Sequence, residues 1–209
     1  MPTNLLDSQD VRVENPVSLV NMMELQSLST QHNSRAQIAT ECITYPQEKP
    51  DIEEVQVAMA EMKVESKPIE LVTSVGSCVA ICLYNSTNRC GGLAHIMLPN
   101  SAIAPQDFPP CKFADTAIPA LANAVREITG KEARLSAKIA GGANIFKFEN
   151  NPGLTIGAKN VSAVRSALGA NGIRLVAEDV GGSYGRRISF NIGSGVVDIR
   201  LSTGEIKHL

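Results

Sequence analysis

Residues 71–99, LVTSVGSCVAICLYNSTNRCGGLAHIMLP, set two apolar, β-prone runs on either side of the turn-forming NSTNR. An apolar run bounded by turn residues and rich in β-branched side chains suits a strand buried on both faces. ELVTSVGSCVAICLY is therefore expected as a central strand interrupted at Gly76, and GGLAHIML as its antiparallel return, ended by Pro99. The same stretch carries three of the chain's five cysteines and one of its three histidines. Four roles compete for them: metal ligand, disulfide, nucleophile with its base, or small buried hydrophobe.

Metal fits poorly. The spacing is C-x3-C-x7-C-x4-H, without the C-x2-C pairs that place zinc ligands on tight turns. Cys78 and Cys82, four apart on a strand rising ~3.3 Å per residue, stand ~13 Å from each other. An odd number of cysteines in a chain of this length argues against a disulfide framework and for reduced thiols. Cys82, inside VAICLY, reads as a buried hydrophobe, and Cys90 and Cys111 read the same way.

Cys78 differs because it follows Gly76-Ser77. Glycine allows a sharp backbone turn that leaves N–H groups free to stabilise a thiolate or an oxyanion. If the hairpin tip is centred between Ser86 and Thr87, Cys78 stands directly opposite His95, and directly opposed residues project from one face. An imidazole so placed reaches the thiol and acts as its base, whereas a one-residue slip would separate the two. A lone histidine in an apolar strand also has a purely structural reading. Thr73 and Ser74, just upstream, are candidates to orient the imidazole, against the plainer role of satisfying the backbone.

Outward from this hairpin, the sequence changes character. All sixteen glycines fall at Gly76 or later, while residues 1–50 are rich in Ser, Thr, Asn and Gln. That shift marks a disordered tail over 1–50 and a folded domain over 51–209. VQVAMAEMKV, from Val55, alternates as a half-buried strand. DTAIPALANAVREITG has the helical period, with Asp115 or Thr116 to cap it, Pro119 in its first turn and Gly130 to end it. KNVSAVRSALGANG is a second helix, with Gly169 and Gly172 to stop it. LSAKIAGG, IRLVAED, RRISFNI and GVVDIRL are strands, the last two joined as a hairpin around Gly193 to Gly195. Many strands with two helices define an α/β sandwich with a mixed, largely antiparallel sheet. The glycines at 141–142, 157, 181–182 and 185 match neither a P-loop nor a dinucleotide fingerprint, and read as turns or cleft rims.

A formal net charge of −2 gives no footprint for nucleic acid or an anionic membrane surface. No apolar run reaches the ~20 residues of a membrane span, and the first thirty residues lack the order of a secretory signal, so a cytoplasmic protein is expected.

In order and with compatible spacing, GSCVAICLYN, GGLAHIMLP, KFADTAIPAL, AKIAGGANIF, IGAKNVSAVRSAL and GIRLVAEDVGG resemble the CheD family of chemoreceptor glutamine deamidases. The likeness covers about residues 55–200 and leaves out the first fifty. It implies an enzyme that converts selected glutamines of methyl-accepting chemotaxis receptors to glutamate, releasing ammonia without a cofactor. It also implies a sandwich related to the toxin-type Cys/His deamidases. By motif, Cys78 after GS is the nucleophile, His95 in AHIMLP is the base, and the threonine upstream of GSC is the third member. That threonine is Thr73, five residues before the cysteine; some family members place it six before, where this chain has Val72. The family further implies a CheC-type phosphatase as partner, docking near the cleft. An adaptor that binds this phosphatase and the receptors, with catalysis secondary, is the alternative from another class. A redox sensor pairing Cys78 with Cys82 or Cys90 is a third. In the tail, SRAQIATE sets Gln37 among small residues, either as a pseudosubstrate or as part of a polar linker.

Overall fold

A computed structural model describes residues 52–104, 108–145 and 155–209. All of them belong to the compact unit Glu48–Leu209. The tail expected over 1–50, with Gln37, lies outside the described residues. In chain order the strands are β1 (Glu54–Gln56), β2 (Met62–Glu65), β3 (Glu70–Val75), β4 (Val79–Asn85) and β5 (Cys90–Ile96). Helix α1 (Ala114–Thr129) follows, then β6 (Ser136–Gly141) and helix α2 (Ile156–Ala170). Strands β7 (Arg174–Val180), β8 (Arg186–Asn191), β9 (Val197–Leu201) and β10 (Ile206–His208) complete the chain.

The α/β sandwich is present, with mixed and largely antiparallel pairing. β1 with β3 and β6 with β7 run parallel, and the other ladders are antiparallel. The strands divide between two five-stranded sheets, ordered β1-β3-β8-β9-β10 and β2-β5-β4-β6-β7. Two apolar runs of the sequence are cut by this division. VQVAMAEMKV does not form one strand: it turns at Ala60, whose φ is 59°, and its halves join different sheets. At Gly76 the central run breaks completely, leaving β3 in one sheet and β4 in the other.

β4 shows why its sequence is apolar at nearly every position. Val79, Ile81 and Leu83 face the helices, packing with Ile118, Leu121 and Val125 of α1 and with Val164 and Leu168 of α2. Ala80 and Cys82 point the other way, into a second core with Leu71, Ile188, Phe190 and Ile199 of the facing sheet. A strand between two cores cannot alternate apolar with polar. The small side chains on the sheet-to-sheet side leave room for Phe190, which is fully buried and meets Tyr84 edge-on at 5.9 Å between ring centroids. Burying a side chain of that size stabilises the fold by ~1.5–3 kcal/mol. Cys82 is therefore a filler of the sheet-to-sheet core, while Cys90 and Cys111 belong to the helix-side core.

Helix α1 starts differently from the sequence expectation. Phe113 is its N-cap and makes no side-chain capping bond. Asp115 instead accepts from the N–H and hydroxyl of Ser101, and the Thr116 hydroxyl donates to the carbonyl of Pro110. Both side chains tie the preceding loop to the helix rather than cap it. Because the helix begins at Ala114, Pro119 lies in its second turn, not its first. Gly130, at φ 99°, ends it as expected.

Candidate active site

The hairpin of β4 and β5 carries the sequence-predicted pair, with a register different from the one assumed. His95 stands opposite Ala80, not Cys78, and Asn85 opposite Cys90. The tip is centred between Thr87 and Asn88 because a four-residue turn closes it. Asn85 Oδ1 accepts from the N–H of Asn88 at 2.8 Å, and Arg89 takes a left-handed φ of 47°. The pairing thus moves by two residues along the partner strand, which restores the same face. Cys78, one residue before β4, packs against the sheet-to-sheet core, as do Ala80 and Cys82. His95 reaches into the same layer. Diagonal neighbours within a ladder have Cβ atoms roughly 7 Å apart. Cys78 lies one residue past the last ladder pair, and His95 Nε2 makes no hydrogen bond to it.

Thr73 comes from the opposite sheet. Its Oγ1 lies 2.8 Å from His95 Nδ1 and 2.8 Å from the carbonyl oxygen of Val57. A hydroxyl has one proton, and a carbonyl can only accept, so Thr73 donates to Val57 and accepts from Nδ1–H. The imidazole is thereby held in the tautomer that leaves Nε2 with its lone pair. Nε2 is buried and has no hydrogen-bond partner among the described residues. Alternation along β3 separates the two candidate hydroxyls: Thr73 shares the inward face with Leu71 and Val75, while Ser74, like Val72, projects from the other face.

Burial governs the electrostatics. It lowers the His95 pKa from the ordinary 6.5, and it raises that of Cys78 from 9.0, opposed in part by a hydrogen bond from the residue's own backbone N–H. Both shifts disfavour charge, so the resting site is a neutral thiol with a neutral imidazole.

The backbone around Cys78 is braced by two glycine loops. The Cys78 carbonyl accepts from Gly142 N–H at 2.7 Å, and the Gly76 carbonyl from Ala143 N–H at 2.8 Å. Gly141 and Gly142 have φ of 121° and 63°, and a Cβ on Gly141 would stand 2.3 Å from the Cys78 carbonyl oxygen. Only glycine lets the two backbones come so close. The second loop, after β7, donates from Gly181 N–H to the Gly141 carbonyl and accepts at Gly182 from Asn144 N–H. Gly141-Gly142 and Gly181-Gly182, expected as turns or cleft rims, are positive-φ turns after β6 and β7 that brace the Cys78 backbone. The N–H groups of Ser77 and Cys78 donate to no backbone acceptor among the described residues.

Two residues at this site were missed in the sequence. Arg186, buried, donates to Asp179 at 3.0 Å and to the Gly181 and Tyr184 carbonyls at 2.9 and 3.1 Å, and so fixes the second loop. Burial opposes ionisation of Asp179, but the Arg186 guanidinium, helped by Lys207, outweighs it and keeps the carboxyl below its ordinary 3.8. Asn160, on α2, donates to the carbonyls of Ser77 and Met97. Its signal was present in the sequence: an amide on the same helical stripe as Val161, Val164 and Leu168. Among the described residues, no three His, Cys, Asp or Glu side chains converge as metal ligands, and no helix is long and apolar enough to cross a membrane.

Comparison with known proteins places the chain in a family. The profile described as CheD chemotactic sensory transduction matches residues 97–201, beginning just past His95. The chain is 42% identical over 156 residues to a protein of Desulforamulus reducens named "Probable chemoreceptor glutamine deamidase CheD", covering 74% of this chain and 94% of that one. It is 45% identical over 140 residues to "Chemoreceptor glutamine deamidase CheD" of Halalkalibacterium halodurans, covering 66% and 86%. A Geobacillus kaustophilus relative with the first of these names is 42% identical over 159 residues, covering 74% and 96%. The chain belongs to the CheD family.

Proposed function

We propose that this protein hydrolyses the side-chain carboxamide of selected glutamines on methyl-accepting chemotaxis receptors, giving glutamate and ammonia. The names of its relatives supply the reaction and the substrate. The observation that supports it at these residues is the Thr73–His95 hydrogen bond, which leaves Nε2 as a buried base, unpartnered among the described residues, on the face that Cys78 shares.

In this reading the Cys78 thiol gives its proton to His95 Nε2 as sulfur attacks the amide carbon. Moving the proton only as the bond forms suits a pair that is neutral at rest. The developing oxyanion is met by the Ser77 N–H, which donates to no backbone acceptor among the described residues. Collapse breaks the C–N bond, and the imidazolium protonates the leaving nitrogen, which departs as ammonia. Water then loses a proton to the same Nε2 and attacks the thioester. The C–S bond breaks, and glutamate leaves as the thiol is restored. Thr73 touches no reacting atom; it fixes which imidazole nitrogen is the base. No metal or cofactor enters any step.

The reading extends to residues 51–209 as the catalytic unit and to the cytoplasm as its location. It also includes a CheC-type phosphatase as partner, which rests on family likeness alone and is checked by co-purification. The test of the chemistry is mass spectrometry of a receptor fragment incubated with the protein. Glutamine-bearing peptides should gain about 1 Da with the wild type and none with Cys78→Ala at equal folded concentration. A Cys78→Ala protein that still deamidates would remove the thiol from the mechanism.

A further inference from the structure

Asn160 is fully buried on the face of α2 that packs against the sheet. Its side-chain amide nitrogen donates to two carbonyls at once, Ser77 and Met97, each at 2.9 Å. Ser77 immediately precedes Cys78, and Met97 stands two residues past His95. The two bonds therefore span the gap between the strand end that carries the thiol and the strand end that carries the imidazole. Beyond Val79 and Ile96 the β4–β5 ladder has ended, so its hydrogen bonds no longer hold these two segments together.

The orientation of the amide is forced, since a flip would set its oxygen against two carbonyl oxygens. Its own Oδ1 is buried without a partner among the described residues. An amide with one end unsatisfied in a core is costly, and an aliphatic residue would fill the same stripe without that cost. The donor end is what the position uses. The same helix face also reaches the loop behind Cys78: a Cβ on Gly142 would collide with Val161, and Gly157 packs against the Gly142 carbonyl. One stretch of α2 thus touches the Ser77, Met97 and Gly142 segments together.

We infer that Asn160 is a positioning residue for the deamidation reaction: its two hydrogen bonds fix the separation of Cys78 and His95 at the open end of the hairpin. The inference rests on the catalytic reading given above. Without the amide the two segments lose their shared anchor, and a displacement of about 1 Å between nucleophile and base is enough to lower turnover ~10²-fold. Receptor binding, which does not depend on that separation, stays the same.

The experiment measures ammonia release from a receptor cytoplasmic fragment by the full chain, well below the melting temperature of each variant. Asn160→Ala is expected to lower kcat ~10²-fold with KM within about threefold. Val164→Ala, a cavity on the same helix that touches neither carbonyl, is expected to lose thermal stability yet keep kcat within about threefold. Should Asn160→Ala fail to fold, Asn160→Leu, which fills the space without donors, carries the same expectation. Wild-type kcat in a folded Asn160 variant, or an equal fall in Val164→Ala, overturns the inference. Cys78→Ala, run alongside, separates the two failures. If it is active, the catalytic reading has failed; if it is inactive while Asn160→Ala keeps wild-type kcat, only the positioning role has.

Discussion

Thr73 Oγ1 and His95 Nδ1, 2.8 Å apart, join the two sheets of the sandwich through a buried hydrogen bond. The hydroxyl's single proton is committed to Val57, so the contact sets the imidazole tautomer as well as its orientation. Thr73→Val keeps the shape and removes the acceptor. It should lower kcat by about 10- to 10²-fold with KM nearly unchanged, lower the melting temperature because the Val57 carbonyl also loses its donor, and Thr73→Ser should recover most of both losses. Equal rates for Thr73→Val and the wild type in the ammonia assay would leave the threonine a structural part only.

The acid limb of the rate profile should lie below the usual imidazole range. Burial lowers the His95 pKa from 6.5, and the base must be neutral to accept a proton, so kcat/KM should hold through pH 6.5 and fall only at lower pH. The same shift acts on stability. Between 6.5 and the lower folded value, the unfolded chain binds a proton that the folded chain does not, so unfolding becomes easier as pH falls through that window. His95→Gln should flatten this part of the denaturation-midpoint profile; an unchanged slope would place the titration elsewhere.

Cys78 should be slow to alkylate at neutral pH in the absence of substrate. Burial raises its pKa above 9.0, so modification by iodoacetamide, followed at the Cys78 peptide, should accelerate with pH past that value. Fast modification at pH 6–7, independent of pH, would instead reveal a preformed thiolate–imidazolium pair, with the proton moved before substrate arrives.

Removing residues 1–45 should leave kcat, KM and melting temperature unchanged, as for a polar linker ahead of the domain. A rise in kcat/KM on deletion, reversed by adding a peptide containing SRAQIATE but not one with Gln37→Ala, would assign Gln37 the pseudosubstrate role.

Much of this architecture is determined locally. The helical periods of α1 and α2, the β4–β5 hairpin and the glycine turn before Cys78 follow from side-chain pattern and turn chemistry within a few residues. So does the common face of Cys78 and His95, because a two-residue error in register preserves side-chain direction. What the local pattern could not decide is where an apolar run leaves one sheet for another. Breaks at Ala60 and Gly76 send neighbouring strands into separate sheets, since each needs a different surface to bury its apolar face. The rest of the site depends on that division. Thr73 meets His95 across the gap between sheets, and Asn160 reaches Ser77 and Met97 from a helix 83 and 63 residues away in sequence. Residue spacing could name the thiol and the imidazole. That Thr73 and not Ser74 meets the imidazole, and that the Asn160 amide spans the strand ends, is fixed by packing between layers, which only the tertiary structure decides.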